Sequence, residues 1–290
     1  MNGMIVSSFG DSFRVIAEGE EYICRAKGIL RMGDVRPVCG DKVLLDLCEE
    51  PVITRILPRK NEIVRPPLAN LDCLVFVCST VEPAPDILNL DKFTAVSVFK
   101  GIMPVIVFTK SDIVDPEKYL KLYRGVFPTF AVDNTTGEGT EKLLEVLRGK
   151  FSALAGNSGV GKSSLINNLL PGLNARIGEI SLKLGRGRHT TRRIEIYPLP
   201  MGGYIADTPG FAAFSTDRYG IIYKESLPSC FPEFSEYIGS CRYQDCSHTK
   251  EQGCAVLEAV KLGKIQPSRH RSYLAMYGEA SKLKPWEHKA

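Results

Sequence analysis

The sequence predicts a multi-domain α/β protein with an N-terminal OB-type β-barrel, a central parallel sheet flanked by helices, and a small helical domain at the C-terminus. Three successive residue patterns lead to this prediction. Short alternating runs come first, near-continuous apolar runs follow, and the last part is rich in Pro, Cys, His and aromatic residues. We place the domains at residues 1–67, 68–222 and 223–290, which suits a chain of 290 residues.

The N-terminal part contains five short runs in which apolar and polar residues alternate, as they do in half-buried strands. The runs are residues 4–7, 13–17, 21–25, 42–47 and 52–56. Gly, Asp and Pro separate them, and this spacing is typical of a small closed barrel. Pro66 and Pro67 form a stiff exit from the domain.

The apolar runs of the central part do not alternate, which is typical of parallel strands buried on both faces. We predict strands at residues 71–78, 104–108, 127–132, 151–155, 194–199 and 204–206. Helices are predicted at residues 88–100, 115–126, 140–147 and 162–169. The C-terminal domain is predicted to contain two more helices, at residues 255–262 and 267–282.

No apolar run is long enough to cross a membrane, because the longest have six residues and a span needs about 20. The N-terminus lacks the basic and apolar segments of a secretory signal. We therefore expect a cytoplasmic protein whose nine cysteines are thiols or metal ligands rather than disulfides. Cys24, Cys39, Cys48, Cys73 and Cys78 are expected in the core, and His270 and His288 at the surface.

A phosphate-loop motif, Gly-Asn-Ser-Gly-Val-Gly-Lys-Ser, occupies residues 156–163 between a predicted strand and a predicted helix. In such a loop backbone N–H groups point at the phosphates, Lys162 reaches the β- and γ-phosphate oxygens, and Ser163 offers a hydroxyl to Mg²⁺. Lys162 is thus also a candidate catalytic residue. The nucleotide-binding candidates here are Gly156, Asn157, Ser158, Gly159, Val160, Gly161, Lys162, Ser163 and Ser164.

A second motif, Asp207-Thr-Pro-Gly210, follows the strand predicted at residues 204–206. Asp207 suits a water-mediated contact to Mg²⁺, and the N–H of Gly210 suits the γ-phosphate. Such a turn is also an ordinary way to end a strand. The phosphate loop in the same chain favours the nucleotide interpretation.

A variant of the guanine-reading Asn-Lys-x-Asp motif, Thr-Lys-Ser-Asp, stands at residues 109–112. The carboxylate of Asp112 can accept from N1–H and N2–H₂ of guanine, donors that adenine lacks on that edge, so GTP is the predicted nucleotide. A helix cap is the structural alternative for Asp112. Thr109 departs from the motif because Thr cannot make the amide contact of Asn. The candidates of the base site are Thr109, Lys110, Asp112 and Asn134.

The order of these motifs is unusual, because the base motif precedes the phosphate loop. Ordinary GTPases begin with the phosphate loop, so we predict a circularly permuted GTPase domain. The segment after Gly210, which normally responds to the γ-phosphate, then leads almost directly into the C-terminal domain. The nucleotide state could therefore be passed to that domain.

A cluster of metal-ligand residue types lies in the C-terminal domain, within 14 residues. Three cysteines and one histidine supply a full tetrahedral shell for one Zn²⁺. They are Cys241, Cys246, His248 and Cys254. Because four protein ligands leave no open position, we predict a structural site. Cys230 is an alternative ligand.

A basic cluster occupies residues 176–193, where six Lys and Arg residues accompany one acidic residue, although the whole chain carries only +4. Contacts to RNA phosphates would explain this charge. A solvated switch loop is the alternative. The candidate RNA-binding residues are Arg186, Arg188, Arg192 and Arg193.

The motifs at residues 156–164, 185–191 and 207–211, with the Cys/His spacing, resemble the bacterial ribosome-small-subunit-dependent GTPases (the RsgA, YjeQ or YloQ family) over almost the whole chain. The resemblance implies late maturation of the small (30S) ribosomal subunit. It implies binding to that particle and its 16S rRNA, with hydrolysis of GTP to GDP that is slow alone and faster when bound. One Zn²⁺ and one Mg²⁺ are the implied cofactors.

The resemblance also assigns roles around the switch. Phe211 stands where Ras-like enzymes place the Gln that orients the attacking water, and His189 is the implied replacement. Thr191, or Thr190, is implied for Mg²⁺ and the γ-phosphate. The barrel is expected to contact RNA through one face. We expect a monomer with no membrane partner.

Two other functions remain open. In the first, the chain is an RNA-binding assembly factor in which GTP sets affinity with negligible turnover, and added small subunits would leave the hydrolysis rate flat. In the second, it is a phosphate-loop kinase for a small metabolite, which Asp112 disfavours. Equal competition by ATP and GTP would support that kinase.

Overall fold

The structure is a computed structural model that describes residues 1–28, 36–47, 50–172, 194–208 and 221–283. Five strands form a closed barrel at the N-terminus, in the spatial order β1-β2-β3-β5-β4. They are β1 (Asn2–Phe9), β2 (Ser12–Ala17), β3 (Glu20–Ala26), β4 (Lys42–Asp46) and β5 (Val52–Ile56). Alternate residues point inward, so Ile5, Val15 and Val43 are fully buried. The predicted OB-type barrel is confirmed.

A short segment joins the barrel to the central sheet. It contains β6 (Glu62–Ile63) and β7 (Leu68–Ala69), which pair antiparallel. The buried carboxylate of Asp41 accepts hydrogen bonds from Nε and Nη2 of Arg59, at 2.7 and 2.8 Å, and from the N–H of Val38 at 2.8 Å. These bonds fix the barrel edge to the start of the connecting segment.

Six strands form the central sheet, in the order β10-β9-β8-β11-β13-β12. They are β8 (Cys73–Ser79), β9 (Met103–Thr109), β10 (Thr129–Val132), β11 (Phe151–Ala155), β12 (Glu195–Pro198) and β13 (Tyr204–Asp207). All neighbours pair parallel except β12, which is an antiparallel edge strand. The predicted, mainly parallel sheet is confirmed.

Four helices cover the two faces of this sheet. They are α1 (Ile87–Phe99), α2 (Glu117–Tyr123), α3 (Thr140–Leu147) and α4 (Lys162–Leu169). In β8, Leu74 and Phe76 point to the core under α1 and α2, while Val75 and Val77 point to the core under α3 and α4. Burial on both faces explains why these strands do not alternate in sequence.

Helix α2 is shorter than the span 115–126 that the sequence predicts. Pro116 occupies the position before its first helical residue, and Gly125, at φ +84°, follows its end. A proline and a left-handed glycine are common boundaries of helices.

The C-terminal part consists of short turns and two helices. It contains 3-10 turns at Pro228–Cys230 and Pro232–Phe234, then α5 (Ala255–Lys261) and α6 (Pro267–Ala280). Helix α6 packs along α1, so the two parts of the chain share a core. Within the five described segments, no helix combines the length and the apolar character that a membrane span needs.

Candidate functional site

The phosphate loop lies between β11 and α4. At two of its positions the backbone conformation and the close neighbours require glycine. Gly156 has φ +148°, and a Cβ there would lie 2.3 Å from the carbonyl oxygen of Val77. Gly161 has φ +94°, and a Cβ there would lie 2.6 Å from Nδ2 of Asn134. Larger residues would therefore displace the loop from the neighbouring strand and loop.

Lys162 and Asp207 form the charged centre of the site. Nζ of Lys162 donates to the carbonyl oxygens of Gly156 and Asn157, at 2.7 Å each. Burial lowers the pKa of Lys162, and the negative charge of Asp207 opposes this shift. Burial raises the pKa of Asp207, and Lys162 opposes that shift. The two groups thus stabilise each other's charged forms at the carboxyl ends of β11 and β13.

Neighbouring residues complete the phosphate side of the site. Oγ1 of Thr208 donates to the carbonyl oxygen of Leu154 at 2.8 Å, which ties the end of β13 to β11. Ser163 is exposed at the first turn of α4, and Ser164 beside it is exposed too. The hydroxyl of Ser163 is therefore accessible to a ligand at the start of the helix.

Thr109 is fully buried at the end of β9, and its hydroxyl contacts the phosphate loop. Oγ1 lies 2.5 Å from the carbonyl oxygen of Val160 and 3.2 Å from that of Cys78. Lys110 has φ +59°, and its Nζ donates to the carbonyl oxygen of Glu82 at 2.8 Å. Asp112 is exposed and has no hydrogen-bond partner among the described residues. Its carboxylate is thus the free acceptor of this loop.

The loop 133–139 packs against the phosphate loop. Asp133 accepts from the N–H of Thr135 at 2.7 Å and from Oγ1 of Thr136 at 2.6 Å, and these hydrogen bonds lower the pKa of Asp133. Nδ2 of Asn134 donates to the carbonyl oxygen of Gly161 at 3.1 Å. Asn134 therefore lies beside the phosphate loop.

Seven of the predicted site residues lie outside the described residues. These are Arg186, Arg188, His189, Thr191, Arg192, Arg193 and Gly210.

The metal-ligand cluster in the C-terminal part assembles as the sequence predicts. The ligand atoms of Cys241, Cys246, His248 and Cys254 all lie within 4.8 Å of one another. Sγ of Cys241 is 3.9 Å from Sγ of Cys254, and Nδ1 of His248 is 3.6 and 3.5 Å from these two sulfurs. Burial lowers the pKa of His248, which favours the neutral ring that binds metals. The four residues can hold a metal ion.

Further hydrogen bonds hold this cluster in place. The N–H of Ala255 donates to Sγ of Cys241 at 3.3 Å, and the N–H of Leu257 donates to Sγ of Cys254 at 3.5 Å. Glu251 accepts hydrogen bonds from Ser247 and from the N–H of Thr249 at 3.0 Å. The carboxylate of Glu251 thus connects the residues on both sides of His248 and holds this loop in its conformation.

Two expectations about this region were wrong. His270 is buried rather than at the surface, because α6 packs against the loop that contains His248, and its Nε2 donates to the carbonyl oxygen of His248 at 2.9 Å. Cys230 is not a ligand, since it lies outside the cluster and its thiol is 3.3 Å from the carbonyl oxygen of Ser226. Sequence spacing alone gave no signal for either contact.

Fold and site together define a circularly permuted GTPase of the phosphate-loop class. Strand β9, which leads to residues 109–112, precedes the phosphate-loop strand β11 in the chain, the reverse of the order in ordinary GTPases. The family model described as RsgA GTPase matches residues 56–217, and that of the RsgA N-terminal domain matches residues 2–51. The chain belongs to the RsgA GTPase family.

Relatives and solved structures agree with this assignment. The small ribosomal subunit biogenesis GTPase RsgA of Geobacillus thermodenitrificans (strain NG80-2) is 39% identical, covering 98% of each chain. The protein of the same name from Carboxydothermus hydrogenoformans is 38% identical, covering 96% of this chain and 97% of its own. The crystal structure of YjeQ from Thermotoga maritima has a TM-score of 0.81 at 32% identity, covering 98% of this chain and 99% of that one. YloQ, described as a circularly permuted GTPase, has a TM-score of 0.79 at 29% identity, covering 98% and 96%.

Proposed function

We propose that this chain binds the small ribosomal subunit and hydrolyses GTP, faster when bound, during late maturation of that subunit. The observation that carries the proposal is the placement of Lys162 and Asp207 at a glycine-shaped phosphate loop, with the free carboxylate of Asp112 on a neighbouring loop. The relatives that match the chain from end to end carry the name of a small ribosomal subunit biogenesis GTPase.

The base site selects guanine through one acceptor and one donor. Asp112 accepts from N1–H and N2–H₂ of guanine, and the N–H of Asn134 donates to O6. Thr109 supports the phosphate loop, because its buried hydroxyl donates a hydrogen bond to the carbonyl oxygen of Val160. This role explains how Thr replaces the usual Asn at this position, and Lys110 shapes the loop through its left-handed backbone.

The phosphate site orients the nucleotide for attack by water. Lys162 leaves the carbonyl oxygens of the loop and binds the β- and γ-phosphates, while the backbone N–H groups of residues 156–164 point at the phosphates. Ser163 and Thr191 would hold Mg²⁺, with Asp207 as a further ligand-side carboxylate, and the N–H of Gly210 would donate to the γ-phosphate. Mg²⁺, when bound, neutralises charge that develops on the phosphate oxygens. His189 positions the attacking water.

The metal of the C-terminal cluster is Zn²⁺ in this proposal. A tetrahedral zinc with metal–sulfur bonds of about 2.3 Å places its sulfurs about 3.8 Å apart. The two sulfurs of Cys241 and Cys254 are 3.9 Å apart, which fits. The ion is structural because the four side chains fill its coordination sphere.

The remaining parts of the proposal concern the partner and the domains. Residues 1–67 and 223–290 flank the GTPase domain, 68–222, and contribute to subunit binding. Arginines of the basic cluster, Arg186, Arg188, Arg192 and Arg193, contact phosphates of the 16S rRNA. The protein acts as a cytoplasmic monomer.

GTP turnover with Mg²⁺ tests this proposal, measured for the full chain alone and with small subunits, large subunits, or free RNA of matched charge. Turnover alone should be slow, about 10⁻⁴ to 10⁻² s⁻¹. Small subunits should raise it by orders of magnitude, and large subunits and free RNA should not. A flat rate with all three additions would contradict the proposal and support the alternative, a GTP-gated RNA-binding assembly factor with negligible turnover.

A further inference from the structure

Asn168 lies on α4, outside every nucleotide-binding motif of the chain, yet its side chain contacts the proposed base site. Its Nδ2 donates to the carbonyl oxygen of Asn134 at 3.0 Å and is 3.5 Å from Oδ1 of the same residue. Asn134 in turn donates from Nδ2 to the carbonyl oxygen of Gly161 at 3.1 Å. Because Gly161 directly precedes α4, these bonds close a ring between the helix, the phosphate loop and the base loop.

Two groups of Asn134, the carbonyl oxygen and the side-chain amide, are hydrogen-bonded within the ring, and its backbone N–H is not. Its carbonyl oxygen is taken by Asn168, and its side-chain amide by Gly161. Within the described part of the chain, the backbone N–H of Asn134 has no partner. A donor fixed by neighbours on both sides, but itself unpaired, is pre-organised for a ligand acceptor.

The preceding residue supports the same orientation. Asp133 is buried, and its carboxylate holds the N–H of Thr135 and the hydroxyl of Thr136. These bonds turn the chain tightly around Asn134. Asp133 thereby occupies the N–H of Thr135 and the hydroxyl of Thr136, while the N–H of Asn134 has no partner among the described residues.

We propose that Asn168 is a positioning residue for guanine recognition: by holding the carbonyl oxygen of Asn134, it aims the N–H of Asn134 at O6 of the base. This inference deepens the proposed function and rests on the base site described there. Asn168 itself does not touch the nucleotide. Its effect is therefore confined to the contact with O6 and does not extend to the donors read by Asp112.

Binding of three nucleotides separates this role from a general loss of stability. The full chain is titrated with GDP, with 6-thioguanosine diphosphate, and with inosine diphosphate. The 6-thio analogue keeps N1–H and N2–H₂ but replaces O6 by a weakly accepting sulfur. Inosine diphosphate keeps O6 but lacks the 2-amino group. The variants are Asn168→Asp, which has the same shape without the donor, and Asn168→Ala, which adds no charge.

The wild-type chain should prefer GDP over the 6-thio analogue. Both variants should weaken GDP binding by about five- to tenfold, the effect of one hydrogen bond, and leave the 6-thio affinity unchanged. The preference for O6 then disappears, while the preference for GDP over inosine diphosphate stays as in the wild type. Asn167→Asp is the matched control, because Asn167 is the exposed neighbour on the same helix, and it should behave as the wild type.

Three results would overturn the proposal. Variants that keep the wild-type preference for O6 would show that Asn168 does not position the donor. An equal loss of affinity for all three nucleotides would assign Asn168 a merely structural role. A wild-type chain without preference between GDP and its 6-thio analogue would remove the contact to O6 itself. In the first two cases the proposed base site would stand.

Discussion

Among single residues, Asp112 has the largest role in the proposed base site, because its exposed carboxylate is the proposed acceptor for guanine. We predict that Asp112→Asn lowers the affinity for GDP by about 10- to 100-fold, because the amide presents a donor to the donors of guanine. The same variant should bind xanthosine diphosphate more tightly than the wild type does, since xanthine carries an acceptor at C2. Competition binding of the two nucleotides measures both effects. Unchanged affinity for GDP would remove Asp112 from the base site.

Glu251 carries a second prediction at this scale. Burial would raise the pKa of Glu251, but hydrogen bonds from Ser247 and the backbone N–H groups of Thr249 and Lys250 lower it to about 2. A depressed pKa means that the charged form stabilises the fold, and that this contribution is lost as the pH falls from about 4.5 toward 2. We predict that Glu251→Gln costs about 1 kcal/mol near neutral pH.

Chemical unfolding of the wild type and the Glu251→Gln variant at several pH values checks this prediction. The difference between them should be constant above about pH 5 and shrink in acid, because the wild-type carboxyl then also becomes neutral. Glu258→Gln is a suitable control, since Glu258 is exposed and its ion pair with Lys261 is on the surface. A difference that stays the same down to pH 2 would contradict the role of the charge.

At the scale of elements, the packing of α6 on α1 depends on Arg269. This guanidinium is 1% exposed, and it lies 2.7 Å from Asp91 on α1 and 2.7 Å from Glu233. It also lies over the ring of Phe231, with its central carbon 4.8 Å from the ring centroid. Burial raises the pKa of Asp91, and Arg269 opposes that shift. Removal of Arg269 would therefore leave two buried carboxylates without their partner.

We predict that Arg269→Met lowers the free energy of unfolding by about 3–5 kcal/mol, the usual cost of breaking a buried ion pair on one side. Denaturant unfolding measures the change. Lys92→Met is the matched control, because Lys92 pairs with Glu279 between the same two helices, with the Glu279 side chain 55% exposed. That surface pair should contribute at most about 1 kcal/mol. Equal effects of the two variants would show that burial is not the cause.

The circular permutation of the GTPase domain determines the order in which the parts of the whole molecule follow one another along the chain. Because the phosphate-loop strand β11 and strand β13 follow the base loops in the chain, the C-terminal part comes after the phosphate side of the site. That part returns to the GTPase domain through the contact of α6 with α1. A change at residues that follow β13 would thus have a direct covalent route to the part of the chain with the Cys/His cluster.

The proposed role of His189 in water activation concerns the whole molecule, because it is tested in the presence of the small ribosomal subunit. We predict that His189→Ala lowers the turnover stimulated by small subunits by about 100-fold or more, with unchanged affinity for GTP, since in the proposed mechanism the histidine acts on the attacking water and not on the nucleotide. Stimulated turnover and nucleotide binding are measured on the same preparation. His288→Ala serves as the control histidine. A wild-type rate in His189→Ala would remove His189 from the mechanism.

The elements of the fold could largely be predicted because their signals are local. The bounds of β11, α3 and α4 agree with the sequence prediction at both ends. Glycines, prolines and apolar periodicity act over a few residues, so they are visible in the sequence. The Cys/His cluster was also predictable, because its four ligands lie close together in the chain.

Contacts between distant residues could not be predicted in this way. Asn168 contacts Asn134, Arg269 contacts Asp91 across 178 positions, and His270 contacts the backbone of His248. Because Asn168, Arg269 and His270 belong to no motif, nothing in the sequence indicates these contacts. In the sequence, Thr109 is visible only as a departure from the guanine motif, whereas the contact of its buried hydroxyl with Val160 depends on the fold.

The elements, the motif order and the Cys/His cluster thus follow from the amino-acid sequence alone, because each depends on residue types at short spacing. The contacts that support the site and the helix packing arise in the folded molecule: the Asn168–Asn134 ring, the Thr109 contact to the phosphate loop, and the Arg269 ion pairs between α6 and its neighbours. Such contacts form only after strands and helices pack. Two side chains become partners because they lie close together in the folded core. Hydrophobic periodicity along the chain does not indicate which distant residues will meet.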